Sequence, residues 1–233
     1  KGVLAMLIKN WMSSPVVTIV PGANMPMAQK LMKKHNIHSL PVIEDDKIVG
    51  ILTDRDLKKA SASDATTLDV YELAYLLQKI KVAQIMTTDP VTIHANMTLA
   101  EAADTFLHDN VSILPVTNEK NQLVGIISPS DLSRAFLVLT AYDRKGIQLG
   151  LQVEDRPGIA IEIADCIRNL GGRISSLIST DNHVPDGYRQ VYLRIYGLDH
   201  WKLDGLVTKL REMGILLYIV DHIGNHREIF AAA

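Results

Sequence analysis

The sequence predicts a mixed α/β protein, in which two copies of a strand-and-helix repeat precede a third region with the order β-α-β-β-α-β. Residues 12–45 align without a gap with residues 86–119, at an offset of 74. One inserted residue near Lys120 moves the offset to 75, and Val49-Gly50-Ile51 then aligns with Val124-Gly125-Ile126. A duplication of this length indicates two copies of one folded unit.

Composition and charge narrow the classes of partner. The chain has 233 residues, of which 47% are hydrophobic, and its formal net charge is −2. Because phosphate-backbone binding needs a basic surface, and no Lys/Arg-rich run extends beyond Lys33-Lys34, no nucleic-acid partner is expected. No apolar run has the length of a membrane span, so no membrane partner is expected either. The single cysteine, Cys166, excludes a disulfide framework and favours a reduced, cytoplasmic setting.

Each repeat has the pattern strand, helix, strand, strand, helix. In the second repeat, apolar residues at helical spacing predict one buried helix face: Leu99, Ala102, Ala103, Phe106 and Leu107. A polar turn at residues 119–122 separates a short strand at 114–116 from a returning strand at 123–127. The first repeat matches this order, and its helix face is Met27, Ala28, Leu31 and Met32.

The segments beside the repeats are predicted from composition and periodicity. Residues 61–67 are small and polar and predict a surface loop, and residues 68–80 predict a helix that leads into the second repeat. Residues 133–142 predict the helix that closes the second repeat. We therefore assign residues 7–62 and 81–142 to the two repeats, and residues 63–80 to a linker helix.

A short motif occurs once in each repeat, at matching positions. Gly50-Ile51-Leu52-Thr53-Asp54-Arg55-Asp56 and Gly125-Ile126-Ile127-Ser128-Pro129-Ser130-Asp131 share glycine, two aliphatic residues, a hydroxyl residue and, three residues later, aspartate. The aliphatic pair ends a buried strand and the leucine after the aspartate opens a helix. Unpaired N–H groups and the helix dipole at such a junction suit a phosphate, and the aspartate can accept hydrogen bonds from a ribose diol.

The same spacing has a second interpretation, which is a helix cap. In a capping box, a Ser or Thr and an acid three residues later satisfy the first N–H groups of a helix, although the acid is usually Glu or Gln. The duplication favours a ligand site. A cap can also hold an anion, so the two interpretations are compatible.

After about residue 146 the pattern predicts a separate β-α-β-β-α-β region. Leu149, Leu151 and Val153 alternate with polar residues or glycine, as in a half-exposed strand. The turn Asp155-Arg156-Pro157-Gly158 begins a helix, whose buried face is Ile159, Ile163, Ile167 and Leu170. Strands at residues 174–180, 190–196 and 215–219 and a helix at 201–213 complete a ferredoxin-like order.

The paired repeats resemble tandem CBS domains, the Bateman module, through the duplicated motif. The resemblance spans about residues 7–140 and implies binding of an adenosine nucleotide (AMP, ADP, ATP or S-adenosylmethionine) in clefts between the repeats. It implies ribose recognition by Asp56 and Asp131 and phosphate contact by Thr53 and Ser128. It assigns adenine contact to Ile37 and Val111, and the remaining implied nucleotide-binding residues are Thr18, His38, Pro41, Arg55, Thr92 and Pro115.

The two motifs differ in charge. The second motif has Pro129-Ser130 where the first has Asp54-Arg55, and Ser112 stands where the first repeat has His38. Arg55 and His38 could each meet a phosphate. We therefore predict that the first motif is the better site for a charged nucleotide.

The C-terminal region resembles an ACT domain over about residues 147–224, through its first strand, the turn Asp155-Arg156-Pro157-Gly158 and the following helix. ACT domains commonly pair with one another and bind amino acids or similar small molecules near that turn. The resemblance therefore assigns ligand contacts to Asp155, Arg156, Pro157 and Gly158. The order CBS–CBS–ACT is similar to that of acetoin-utilisation regulatory proteins of the AcuB type.

These features together predict a non-catalytic regulatory sensor, expected to be a homodimer, that acts on an unidentified target enzyme. No Gly-rich Walker loop, H-E-x-x-H motif, paired cysteine motif or nucleophile elbow occurs, so neither catalysis nor a cofactor is expected. His222 and His226 have i, i+4 spacing without an evident third ligand, and no metal site is expected. Two alternatives stay open: a structural dimerisation and partner-docking module with vestigial clefts, and an enzyme with an unrecognised site.

Overall fold

The computed structural model describes residues 6–63 and 70–230. The chain divides into two compact units, residues 1–133 and residues 134–233. The division falls inside one helix, Pro129–Leu139. None of the helices in the described ranges combines the length and the apolar character that crossing a bilayer requires.

The first repeat is an antiparallel hairpin flanked by helices. Its elements are α1 (Met25–His35), β1 (Ser39–Glu44), β2 (Lys47–Thr53) and α2 (Asp54–Ser63). Asn24 caps α1, because its side chain accepts a hydrogen bond from the Met27 N–H at 3.0 Å. Asn36 ends the helix in the left-handed region, at φ 51°. Ile19 forms an isolated parallel β-bridge with Val42, so the predicted first strand of the repeat lies beside β1.

The second repeat has the same order after two short helices. Its elements, with the helices before it, are α3 (Val70–Lys79), α4 (Val82–Ile85), β3 (Thr87–Thr88), β4 (Ile93–His94), α5 (Leu99–His108), β5 (Leu114–Thr117), β6 (Leu123–Ile127) and α6 (Pro129–Leu139). A capping box begins α5, in which Thr98 Oγ1 donates to Glu101 Oε2 at 2.8 Å. The hydrogen bonds from Thr98 hold the pKa of Glu101 below its ordinary value.

The prediction of a surface loop over residues 61–67, between the repeats, is wrong at its start. Helix α2 continues to Ser63, through Lys58, Lys59 and Ala60, which are good helix formers. Residues 64–69 of that predicted loop lie outside the described residues. The helix predicted over residues 68–80 is confirmed where it is described, as α3.

The predicted helix faces are right in part. On α5, Leu99, Ala102 and Phe106 are buried, but Leu107 is 84% exposed. Leu107 lies about 100° around the helix from Phe106, outside the buried stripe. On α1, Met27 is likewise exposed, whereas the other residues of the predicted α1 face are buried or partly buried.

The two repeats are interlocked by the segments that precede them. Strand β3, which leads into the second repeat, pairs antiparallel with β2 of the first, with Thr88 opposite Gly50. The equivalent segment of the first repeat bridges to β6 of the second, with Ser13 opposite Ile126. Each repeat therefore completes the edge of the other's hairpin, which the sequence pattern does not predict.

The motif glycines lie where these segments cross. Met86 covers Gly50, and Met12 covers Gly125 in the equivalent place. A Cβ atom at Gly50 would lie 2.9 Å from the Thr87 carbonyl oxygen, closer than packed atoms allow. The glycines of the motif are thus explained by the close approach of the crossing segment.

The second unit is a five-stranded antiparallel sheet with two helices. Its elements are β7 (Ile147–Glu154), α7 (Ile159–Asn169), β8 (Arg173–Thr180), β9 (Tyr188–Tyr196), α8 (Leu203–Met213), β10 (Gly214–Asp221) and β11 (His226–Ile229). The strand order is β11-β10-β7-β9-β8, so the four predicted strands have the ferredoxin-like arrangement, and β11 is an additional edge strand.

The core of this unit follows the predicted helix face. Ile159, Ile163 and Ile167 of α7 are buried, and Leu170 packs against them. Leu206 and Leu210 of α8 belong to the same cluster. Cys166 is also buried there, and burial raises the pKa of its thiol. The cysteine is therefore a core residue, and its raised pKa keeps the thiol protonated at neutral pH.

Candidate functional site

The first motif folds into a corner where β2 ends and α2 begins. Thr53, the last residue of β2, donates its hydroxyl to Asp56 Oδ2 at 2.7 Å and its backbone N–H to the same oxygen at 2.8 Å. The Asp56 N–H donates back to Thr53 Oγ1 at 3.3 Å. The hydroxyl and the carboxylate therefore meet at the helix N-terminus, in the reciprocal arrangement of a capping box.

The second motif repeats this geometry. Ser128 donates its hydroxyl to Asp131 Oδ2 at 2.7 Å and its N–H to the same oxygen at 2.9 Å. Asp131 is only 6% exposed, whereas Asp56 is half-buried. The two corners are thus equivalent in local structure, and the first is the more accessible to a ligand.

The first corner keeps unused hydrogen-bonding capacity. Within the described ranges, Asp56 Oδ1 accepts no hydrogen bond, since the contacts with Thr53 all involve Oδ2 or the backbone N–H. An ionised carboxylate offers about four acceptor positions, so two ribose hydroxyls can bind without breaking the cap. Arg55 is exposed beside it and forms no ion pair with any described residue.

An open groove of about 560 Å³ lies between α1 and α2. Each helix contributes one face at i, i+3, i+4 and i+7 spacing, a sequence signal by which the groove could have been predicted. Ile37 and His38 complete the lining. The residues of the two faces are Gln29, Met32, Lys33, Asn36, Asp54, Leu57, Lys58 and Ser61.

Asp56 is not among the residues that line the groove. Asp56 is about 150° around the helix axis from the face that lines the groove. His38 lies on the groove side, where its Nδ1 is 3.7 Å from Asp54 Oδ2 and its carbonyl accepts the Asp54 N–H at 2.9 Å. The groove lining thus includes Ile37 and His38 together with Asp54 but not Asp56, and the nucleotide contacts of Ile37 and His38 stay predictions.

Two related clefts lie where the hairpins of the repeats meet. Thr18 lines a cleft of about 480 Å³ together with Asn118 and Gln122 of the second repeat. Thr92, its equivalent, lines a cleft of about 640 Å³ with Asp46 and Gln122. Neither described lining includes a corner hydroxyl or carboxylate.

The remaining predicted residues surround the short strands. Pro41 is buried in β1, where its carbonyl accepts the Ile19 N–H at 3.1 Å, and this bond places Thr18 beside it. Pro115 is buried in the equivalent strand β5, and Val111 is half-buried ahead of it. The predicted set is therefore distributed over the corners, the groove and the clefts, and each assignment stays a prediction.

In the turn predicted to bind a small ligand in the second unit, the charged side chains pair with residues of α7 and β9. Arg156 Nη1 and Nη2 donate to the two carboxylate oxygens of Glu162, each at 2.6 Å. Asp155 Oδ1 is 3.3 Å from Arg189 Nε. Gly158 begins α7 at φ 90°, a conformation that favours glycine. The charged side chains of the turn already have partners.

We expect the Arg156–Glu162 pair to stabilise the protein only while the carboxylate is ionised. The hydrogen bonds from Arg156 hold the pKa of Glu162 below its ordinary value of 4.5. Because the folded-state pKa is lowered, this stabilisation is present above pH 4.5 and is lost as pH falls through the lowered value. The urea midpoint of Glu162→Gln should lie below that of the wild type at pH 7, and the difference should narrow below pH 4.5.

Glu212→Gln is the matched control, because Glu212 is an exposed carboxylate on α8. Its midpoint should differ from the wild type by the same small amount at both pH values. A Glu162→Gln difference that does not change with pH would contradict a role for the ionised pair.

In the described part of the chain, the two histidines at i, i+4 spacing, His222 and His226, do not belong to a metal centre. His222 follows β10, and His226 lies on β11 opposite Asp221, so their i, i+4 spacing is not on a helix. Among the described residues, no group of three or more His, Cys, Asp or Glu side chains is arranged to hold a metal ion.

Comparison with known proteins identifies the first unit. The family model of the CBS domain matches residues 8–63 and 82–138. A CBS domain-containing protein of Dictyostelium discoideum is 35% identical over 130 residues, which are 55% of this chain and 90% of the relative. This protein belongs to the CBS-domain family and carries two CBS domains in tandem.

Two solved structures are similar to part of this chain. A candidate acetoin utilization protein (AcuB) from Vibrio cholerae is 25% identical, with a TM-score of 0.50, over 60% of this chain and 96% of its own. A CBS domain pair solved with 5′-methylthioadenosine and S-adenosyl-L-methionine is 30% identical, with a TM-score of 0.48, over 56% of this chain and 98% of its own. Each covers little more than half of this chain.

Proposed function

We propose that this protein is a non-catalytic sensor that binds an adenosine nucleotide, such as AMP, ADP, ATP or S-adenosylmethionine, at its CBS pair. The observation that carries the proposal is the duplicated corner, in which hydroxyl and carboxylate oxygens approach to 2.7 Å at a helix N-terminus in both repeats. A carboxylate for ribose beside N–H groups for phosphate matches the two polar parts of an adenylate.

The first corner is proposed as the principal site. Asp56 is more exposed than Asp131, and its Oδ1 accepts no hydrogen bond from the described residues. Arg55 adds a positive charge that Ser130 does not supply in the second repeat. A charged nucleotide should therefore bind more tightly at the first corner.

Regulation requires that the ligand prefer one of two arrangements of the protein. A nucleotide shifts such an equilibrium only through the difference between its affinities for the two states, typically about 1–3 kcal/mol. The interlocked segments offer a physical route, because β3 belongs to the edge of the first repeat while it leads into the second. A ligand at one corner thus acts on strands that both repeats share.

Thermal unfolding with a panel of nucleotides tests the binding proposal. A ligand at 100 times its dissociation constant adds about 2.7 kcal/mol of stability. For a protein of this length, each kcal/mol corresponds to about 2–4 °C, so we expect a rise of about 5–10 °C with the correct ligand. AMP, ADP, ATP, S-adenosylmethionine and NAD, which all contain adenosine, are compared with GTP as the control. If none of the adenosine compounds raises the Tm, the sensor proposal is rejected.

The second unit is proposed as an ACT domain. Its ferredoxin-like strand order and the positive-φ glycine at the start of α7 support this proposal. The proposal includes an amino acid or similar small ligand at residues 155–158 and a homodimer formed through sheet edges, since an open edge strand favours pairing. For the whole protein we also propose a cytoplasmic location, an unidentified target enzyme and the acetoin-utilisation context of AcuB-type proteins.

One observation favours a second candidate function, a scaffold with vestigial clefts. Both corner carboxylates already accept two hydrogen bonds from their own helix caps. In that case Asp56 and Asp131 contribute only to stability. This alternative predicts that no nucleotide raises the Tm and that the protein is nevertheless a stable dimer.

A further inference from the structure

A buried arginine in the second unit has no counter-charge among the described residues. Arg194, on β9, is 3% exposed. Its Nε donates to the Thr140 carbonyl at 3.0 Å, and its Nη2 donates to Gln148 Oε1 at 2.8 Å. The Tyr142 ring covers it, with the guanidinium carbon 5.6 Å from the ring centroid. All of these partners are uncharged.

The third nitrogen of the guanidinium has no hydrogen-bond partner in the part of the chain that the structure describes. Arg194 Nη1 is buried and makes no hydrogen bond. No carboxylate of the described residues lies within ion-pair distance of Arg194. Thr140 directly follows α6, so its carbonyl carries part of the negative end of the helix dipole, but this supplies at most about half a charge. Arg194 Nη1 therefore lacks a hydrogen-bond acceptor, and the guanidinium lacks a full compensating negative charge.

A small cavity lies at this position. Its volume is about 30 Å³, which is room for a single water-sized species. The lining is Thr140, Gln148, Ser176, Ile178, Tyr192, Leu193 and Arg194. Apart from Arg194 these residues are uncharged, and the cavity excludes molecules as large as an amino acid.

We propose that this cavity binds one monatomic anion of chloride size, held by Arg194. A buried charge without a counter-charge is costly, and a water molecule would satisfy the Nη1 hydrogen bond without neutralising the guanidinium. A halide does both within the volume available. This site is separate from the corners and from the turn at residues 155–158, and it does not depend on the proposed nucleotide.

Bromide provides the direct test with the unsubstituted protein. Crystals grown or soaked in bromide should show an anomalous peak within hydrogen-bond distance of Arg194 Nη1. A bromide-free cavity that contains only water, or that is empty, would overturn the proposal. This measurement does not depend on the folding of any variant.

Stability in solution provides the second test. Sodium chloride should raise the Tm of the wild type by about 2–4 °C relative to sodium gluconate of equal ionic strength, since gluconate is too large for the cavity. Arg194→Gln should lose this chloride-specific rise. Arg227→Gln, which removes the same charge from the exposed strand β11, should keep it. Equal chloride responses in the two variants would contradict the site.

Discussion

Asp56→Ala is expected to weaken the binding of AMP to this protein by about 10–150-fold. Hydrogen bonds to a charged group are typically worth about 1.5–3 kcal/mol, and each 1.4 kcal/mol is a factor of ten in affinity. The variant should also lose roughly 1 kcal/mol of stability, because Asp56 Oδ2 accepts two hydrogen bonds at the start of α2. Titration calorimetry measures the first effect and urea unfolding the second.

Three comparisons separate ligand recognition from helix capping. Asp56→Asn retains an oxygen for the cap and should keep most of the stability while losing affinity. Asp54→Ala changes a carboxylate on the groove side of α2 and should leave AMP affinity within about twofold of the wild type. Asp131→Ala should affect only the weaker site. Equal loss of affinity in Asp54→Ala and Asp56→Ala would contradict ribose recognition by Asp56.

Gly50→Val is expected to lower the free energy of unfolding of the CBS pair by about 1–3 kcal/mol or more, as overpacking does. A Cβ atom at Gly50 would lie 2.5 Å from Met86 Sδ and 2.9 Å from the Thr87 carbonyl oxygen. The methionine side chain can rotate away, but the carbonyl belongs to β3 and moves only with the strand. Urea unfolding followed by circular dichroism measures the change.

Gly125 provides the matched comparison. There the three atoms nearest to the added Cβ atom all belong to the Met12 side chain, so Gly125→Val should be less destabilising than Gly50→Val. Met12→Ala should relieve the destabilisation by Gly125→Ala, whereas Met86→Ala should relieve only part of that by Gly50→Ala. Full relief at Gly50 would show that the Thr87 backbone is not the obstacle.

The parts of the site that the sequence predicted are the local ones. The corner depends on residues three apart, such as Thr53 with Asp56 and Ser128 with Asp131, so their spacing already specifies the cap geometry. Burial of Cys166 and of Ile163 follows from helical periodicity in the same way. Leu107 shows the limit of this argument, because a residue at the border of an apolar stripe has no local signal for its exposure.

The duplicated repeat, the two corners and the ferredoxin-like order were determined by the sequence alone, because each depends on patterns within a few tens of residues. Only the tertiary structure decided that the segments at Met12 and Met86 exchange between repeats and that Ile37 and His38 line a groove with Asp54 rather than with Asp56. It also decided that Arg194 is bound by a carbonyl 54 residues away. Such contacts join distant parts of the chain, and their partners are selected by packing rather than by local spacing.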